Sequence, residues 1–488
     1  MSESRLRFAP SPTGNLHIGT LRTALFNWIY AKAIGATLVL RIEDTDLARS
    51  QVEFETNINH GLDWLGLTMD EGPSQGGDWG PYRQTERNEL GFYKAHADRL
   101  LQLGYAYHCF CTEADLDQER ATAEAEKRPY VYSGRCKALS PSDVHDKRVA
   151  QIPFTVKFSV PTGPPVRVKD VIRGNIDFDR SLIGDFVLVK SDQTPSYNFA
   201  VVVDDGMMGI TDVVRGEDHI SNTPKQILLF ESLGYVVPKF AHLPMILGPD
   251  KSKLSKRHGA TGVTEYRAQG FLADAVFNYL MLLGWSSADG KELMTRDEII
   301  HRFTLERVSK SGAVFDVAKL RWMNGQYIRR QTPTELLTHV LPYLSDRVRV
   351  ALDALGSDRF QAAIYSVRDN LDVLTDCNSF LEVYAMDADA LIAQVRGYSF
   401  GATDLTAIST FHAHVKGMTE WTVTGIESVI ATVVTETGLG KGKVFKPIRI
   451  ATSGQPSGPH LAELIWILGQ SVVVQRMADV VALLNSVN

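Results

Sequence analysis

The chain is poor in the residues that would mark it as a special case. Only four cysteines occur in 488 residues, which excludes a disulfide-stapled scaffold and points to a reducing compartment. No apolar run approaches the roughly 20 residues of a membrane span. The N-terminus is polar, with no signal-peptide core, so the expected location is cytoplasmic, with no membrane partner. Basic charge is not in excess either: 51 Lys and Arg stand against 57 Asp and Glu, a net charge of −6. Any nucleic-acid partner must then be met by local basic patches. Internal repeats and low-complexity tracts are missing too. What is present, 44% hydrophobic and 22% charged residues, is an ordinary globular composition with enough length for roughly three domains.

The most informative stretch lies near the start, from Arg7 to Thr20. Arg5 to Ala9 reads as a short buried strand, broken by Pro10, Pro12 and Gly14. From Leu16 the apolar residues recur at helical spacing. A polar loop carrying His17 therefore covers a helix start, whose free N–H groups and positive dipole end suit a phosphate. Much later, Lys251 to Arg257 (KSKLSKR) forms a cationic loop. A lone basic run is usually a solvated face; paired with the first stretch, it reads as the other half of an ATP site.

Thr37 to Ile42 is a second buried strand, ending in Glu43-Asp44-Thr45-Asp46. Strand, helix and strand of these lengths imply a parallel βαβ unit, and ligands of such sheets bind at the carboxyl ends of the strands. An acidic run there is equally what a solvated strand end or a helix cap looks like. Residues 152–190 read as short strands inserted between two halves of the sheet. The pattern Tyr197 to Asp205 predicts a return to buried strand. Ile210 to His219 predicts another, running into Arg215, Glu217, Asp218 and His219. Cys109, Cys111 and Cys136 have a spacing that could hold zinc, or be three reduced structural thiols; no fourth ligand follows from the sequence, His108 and His145 being awkwardly placed. Beyond Tyr327 the pattern is helical to the end. Its one cationic cluster, Lys441 to Arg449 around Phe445, is expected as a loop able to meet RNA phosphates and stack a base.

In this order the motifs resemble the class I aminoacyl-tRNA synthetases, and within them the bacterial-type glutamyl-tRNA synthetases. Ala9 to Thr20 is similar to the glutamyl version of the HIGH signature, with Thr20 where the wider class has a second His. Lys253 to Arg257 (KLSKR) is similar to the KMSKS loop. Arg41 to Asp46 (RIEDTD), Arg215 to His219 (RGEDH) and Lys319 to Asn324 (KLRWMN) also match. The helical C-terminal half favours this branch over the glutaminyl one, which carries a β-barrel there.

The resemblance implies an α/β chain: a Rossmann-type parallel-sheet catalytic domain with an α+β insertion, followed by an all-α anticodon-binding half. The implied domains are 1–83 and 191–250 for the two catalytic halves, 84–190 for the acceptor-end insertion, 251–322 for stem contact and 323–488 for the anticodon. The implied reaction joins L-glutamate to tRNA through a glutamyl-adenylate; a non-discriminating form would also charge the glutamine tRNA. His17, Lys253 and Lys256 are the expected catalytic residues. Ser11, His17, Gly19, Asp218, Ile246 and Lys256 would bind ATP with its Mg²⁺. Arg7, Ala9, Ser11, Glu43, Tyr197 and Arg215 would bind glutamate, Arg7 at its side-chain carboxylate and Arg215 at its α-carboxylate. The implied partners are tRNA (acceptor end, stem and anticodon) and L-glutamate, with a monomeric enzyme. A catalytically silent relative would lack His17 or the lysines of 253–256. A cofactor-making nucleotidyltransferase and a truncated base-glutamylating relative would both lack the helical half.

Overall fold

The computed structural model describes residues 4–46, 48–255, 257 and 262–487. Two compact units are present: Met1–Glu265 with Val276–Asp316, and Tyr266–Ala275 with Val317–Asn488.

Among the described residues the first unit has eleven strands: β1 Arg5–Phe8, β2 Thr37–Leu40, β3 Ala106–Cys109, β4 Thr155–Phe158, β5 Val166–Asp170, β6 Gly174–Phe178, β7 Phe186–Val189, β8 Asp212–Gly216, β9 Lys239–Leu243, β10 Ile246–Leu247 and β11 Ala313–Val314. Six of them form one sheet in the order β2-β1-β8-β9-β5-β6. Neighbours are parallel from β2 to β5, and β6 pairs antiparallel with β5. The helix Ile18–Ile34 crosses over between β1 and β2. It starts at His17, whose ring accepts from the Thr20 amide, and stops at Gly35, whose φ of 65° suits a residue without Cβ. It buries residues all round, Arg22 and Asn27 included, as a helix enclosed in a core must. A separate antiparallel sheet, β3-β4-β7, carries the cysteine segment.

Two expectations change here. Tyr197 to Asp205 is not a strand but the start of the helix Tyr197–Met207. Its Val201-Val202-Val203 run looks like a strand because it is buried on every side; short apolar runs do not distinguish the two states. The inserted segment also supplies β5 and β6 to the main sheet, with Asp170 opposite Phe240. That pairing covers the edge of β9, which would otherwise expose unpaired backbone groups.

The second unit is helical. Thr332 and Glu335 form a capping box that opens Pro333–Val340. The hydrophobic core gathers Leu336, Val348, Ile364, Leu381, Ile408, Phe411, Ile430, Ile448 and Ile465. The cationic cluster expected as a loop is instead the helix Lys441–Ser453, with Pro447 inside it. Val444, Ile448 and Ala451 are buried at helical spacing, and this packing outweighs the local preference of Gly442 and Pro447. Lys441, Lys443, Phe445 and Lys446 stay exposed. Arg449 turns away, donating to the Pro459 carbonyl at 2.7 Å. No single described helix is long and apolar enough to cross a membrane.

Candidate functional site

β1 lies between β2 and β8. The chain leaves β1 for one neighbour and later returns as the other, so a crevice opens at their carboxyl ends. A cavity of about 640 Å³ occupies that crevice. Arg7, Ala9, Ser11, His17, Gly19, Glu43, Tyr197, Arg215, Asp218, Ile246 and Lys253 all line it. These residues span nearly 250 positions of sequence and come from the ends of β1, β2 and β8, the start of Ile18–Ile34, the first turn of Tyr197–Met207 and the β10 turn. Lys256 lies outside the described residues.

At one end the groups are buried and tightly tied. Arg7 is 4% exposed. Its Nε donates to both carboxylate oxygens of Asp205 at 3.3 Å, which leaves its terminal nitrogens without a partner among the described residues. Arg41 donates to Asp205 at 2.7 Å and to Glu43 at 3.1 Å. Asp204, one residue before, accepts from Arg87 at 2.6 Å and from the Tyr93 hydroxyl. Burial pushes the Glu43 carboxyl up, with Arg41 and Arg7 opposing. Asp205, although desolvated, is held below the usual range by Arg7 and Arg41. Tyr197 is pushed up to about 12, first by burial and then by Glu43. Its hydroxyl meets His219 Nδ1 at 3.0 Å. Burial and Arg215 bring His219 down to about 4, so that ring is neutral at pH 7.

Arg215 differs from the other arginines. It is 5% exposed, yet no carboxylate lies within ion-pair distance among the described residues. Its Nε donates to His242 Nε2 at 3.2 Å and its Nη2 to Thr223 Oγ1 and Gln226 Oε1, both at 2.8 Å. Nη1 is buried without a partner among the described residues. Such a donor costs about 1–3 kcal/mol until an acceptor reaches it.

The other end is open. His17, Ser11, Asp218 and Lys253 are exposed to the cavity. Because His17 Nδ1 accepts the Thr20 amide proton, its neutral ring carries hydrogen on Nε2, which stands 3.2 Å from the Thr20 hydroxyl. Desolvation and then Lys253 lower its pKa. A Cβ at Gly19 would sit 3.2 Å from the His17 ring, so glycine there leaves the imidazole its place. Lys253 follows a turn in which Ser252 is held by Asp250 at 2.7 Å and Leu254 returns to the Ile246 carbonyl at 2.9 Å.

Sequence reasoning missed the supports beneath the cavity: Asp204, Asp205, Arg87 and His242. The one available signal was a pair of adjacent aspartates closing an apolar run, which calls for buried cations.

The cysteines form a second cluster. The Sγ atoms of Cys109, Cys111 and Cys136 lie within 4.8 Å of one another. The Tyr132 hydroxyl stands 3.3 Å from Cys109 and 3.1 Å from Cys111. Three thiols this close are three of the four ligands a structural zinc takes; among the described residues no histidine or carboxylate completes the set. His108 is turned instead against Phe154, with ring centroids 4.9 Å apart.

Residues 3–322 match the family described as tRNA synthetases class I (E and Q), catalytic domain. Residues 335–481 match the anticodon binding domain. The glutamate–tRNA ligase of Natranaerobius thermophilus is 42% identical over 99% of this chain and 100% of its own. That of a Sulfurihydrogenibium species is 43% identical over 97% and 98%. Among solved structures, a glutamate tRNA ligase from Elizabethkingia meningosepticum in complex with its amino acid superposes with a TM-score of 0.89 at 31% identity, covering 99% of both chains.

Proposed function

The chain belongs to the class I tRNA synthetases of the glutamyl and glutaminyl group, and on that premise we propose how its residues divide the work of a glutamate–tRNA ligase. The enzyme joins L-glutamate to tRNA at the expense of ATP. The carboxylate of glutamate attacks the α-phosphate in line and pyrophosphate leaves. A hydroxyl of the terminal adenosine of tRNA then attacks the activated carbonyl, and AMP leaves.

The reading rests on one observation: Arg7 and Arg215, both buried and each with donors that no described residue takes up, line one cavity together with His17 and Lys253. Arg7 grips the side-chain carboxylate with its two terminal nitrogens, a fork that lysine cannot supply. Arg215 Nη1 takes the α-carboxylate. Glu43 and Ser11 receive the ammonium, beside Ala9, and the Tyr197 hydroxyl completes the amino-acid end. Glutamine offers Arg7 no charge, and leaving a buried guanidinium unpaired gives large discrimination. His17 donates Nε2–H to the phosphates over the helix start, with Gly19 and Asp218 beside it and Ile246 against the adenosine. Lys253, with Lys256, offsets the charge that grows toward pyrophosphate. Mg²⁺ accompanies the ATP. The segment 84–190 receives the acceptor end, 251–322 the stem and 323–488 the anticodon. We read the enzyme as cytoplasmic and monomeric.

Cys109, Cys111 and Cys136 would supply three ligands to a structural zinc ion, which would tie β3 to the turn at Arg135–Ala138 and take no part in the chemistry. Metal analysis of the purified protein tests this: Cys136→Ser should lose the zinc.

ATP–pyrophosphate exchange, with and without tRNA, tests the main reading. Glutamate should support exchange and glutamine should not; no exchange under either condition overturns it. Charging purified glutamate and glutamine tRNAs separately decides between the discriminating and non-discriminating forms.

A further inference from the structure

Arg215 on β8 is the register partner of His242 on β9, and β9 is in turn paired with β5, which ends at Asp170. The three side chains form a chain across the sheet. Asp170 Oδ2 lies 2.6 Å from His242 Nδ1, and His242 Nε2 lies 3.2 Å from Arg215 Nε. Asp170 and His242 are both buried, and neither lines the cavity. The rest of Asp170 is fully engaged: Oδ1 accepts the Ile172 and Arg173 amides at 2.9 and 2.7 Å, and Oδ2 also accepts the His242 amide at 3.1 Å.

The proton positions follow from chemistry. A guanidinium Nε–H can only donate, so His242 Nε2 must present its lone pair. A carboxylate that already accepts backbone amides can only accept, so His242 Nδ1 carries the hydrogen. Asp170 thereby fixes one neutral tautomer of His242, as the aspartate of a hydrolase triad does for its histidine. Arg7 is held by a carboxylate; Arg215 is held by a neutral ring, a hydroxyl and an amide oxygen. The neutral grip fixes the plane of Arg215 without spending its charge on an internal ion pair.

We propose that His242 and Asp170 are positioning residues for glutamate binding, orienting the Arg215 guanidinium so that its unpaired Nη1 meets the α-carboxylate. The inference rests on the assignment of Arg215 proposed above. It also gives the inserted segment a role in amino-acid binding, because Asp170 comes from that segment.

The test is pyrophosphate exchange in the presence of tRNA, with the full-length enzyme, reading KM for glutamate, KM for ATP and kcat separately. His242→Leu removes the acceptor and should raise the glutamate KM about tenfold or more, with the ATP KM within about twofold. His242→Gln puts an amide oxygen near the Nε2 position and should bring the glutamate KM back to within about threefold of the parent. Asp170→Asn can present N–H to Nδ1 and so favour the other tautomer, but it also opposes the His242 amide that Oδ2 accepts; it should lower the thermal midpoint and raise the glutamate KM while the ATP KM stays within about twofold. Arg215→Ala is the control: if it leaves the glutamate KM unchanged, the underlying assignment fails. If Arg215→Ala is damaged while His242→Leu behaves as the parent, the positioning role fails. Equal damage in His242→Gln and His242→Leu also overturns it, since the acceptor would then not matter. Should His242→Leu not fold, the Gln and Asn variants still decide.

Discussion

The two ends of the cavity are built on opposite plans. The end with Arg7, Glu43 and Arg215 is desolvated: Asp205 holds Arg7, Arg41 holds Glu43 and His242 holds Arg215. The end with His17, Asp218 and Lys253 is exposed and rests on short turns. On the proposed assignment, the difference follows from the ligands. A small amino acid must be told from its uncharged amide, and only fixed, dry donors convert one missing charge into a large penalty. A triphosphate carries its own dense charge and needs cations nearby more than it needs a rigid mould.

The comparison breaks most easily at Arg7. Arg7→Ala should lower kcat/KM for glutamate about a thousandfold, because truncating one member of a buried charge pair costs roughly 2–5 kcal/mol; the ATP KM should hardly move. Equal loss in both constants would erase the distinction between the two ends.

Next comes Asp205→Asn, which leaves Arg7 and Arg41 facing each other with less compensation. It should cost roughly 3 kcal/mol of stability, visible in denaturant unfolding, and raise the glutamate KM about tenfold. A stable Asp205→Asn enzyme with parental KM would show that the network beneath the cavity is not needed.

At the open end the effects should be smaller and of another kind. Lys253→Ala should lower kcat about tenfold to a hundredfold with the glutamate KM unchanged, since an exposed lysine acts mainly on charge developing in the transition state.

The smallest expected effect is on pH. Burial raises the Glu43 pKa, so Glu43 gains its proton at a higher pH than an ordinary glutamate and loses its attraction for the substrate ammonium. The acid limb of kcat/KM for glutamate should therefore begin above the usual carboxylate range, and Glu43→Gln should remove that limb. His17 is lowered by desolvation and Lys253, so it gains its proton at a lower pH than an ordinary histidine.

Much of this was legible in the residues. The βαβ start, the helix beginning near Leu16 and the helical second half follow from apolar period and punctuation. The failures share a cause. Val201 to Val203 and Lys441 to Arg449 were read from local preference, as strand and loop, and both are helices because tertiary burial decided their state. Tyr132 was missed as a neighbour of the thiols because a tyrosine carries no ligand signature in a sequence.

For the opening loop, the residues from Arg7 to Thr20 determined a strand end, a turn and a helix start with one histidine over it. They also determined the kind of chemistry available: a fork for carboxylates and a donor for phosphates. Which groups stand behind them was decided only by the tertiary structure. Asp205 reaches Arg7 across 198 residues, and Asp170 reaches His242 across 72. Side-chain period tells a strand which face is buried; it does not tell it which strand lies beside it. The order β2-β1-β8-β9-β5-β6 settles that and sets His242 beside Arg215; the helix Tyr197–Met207 brings Asp205 to Arg7.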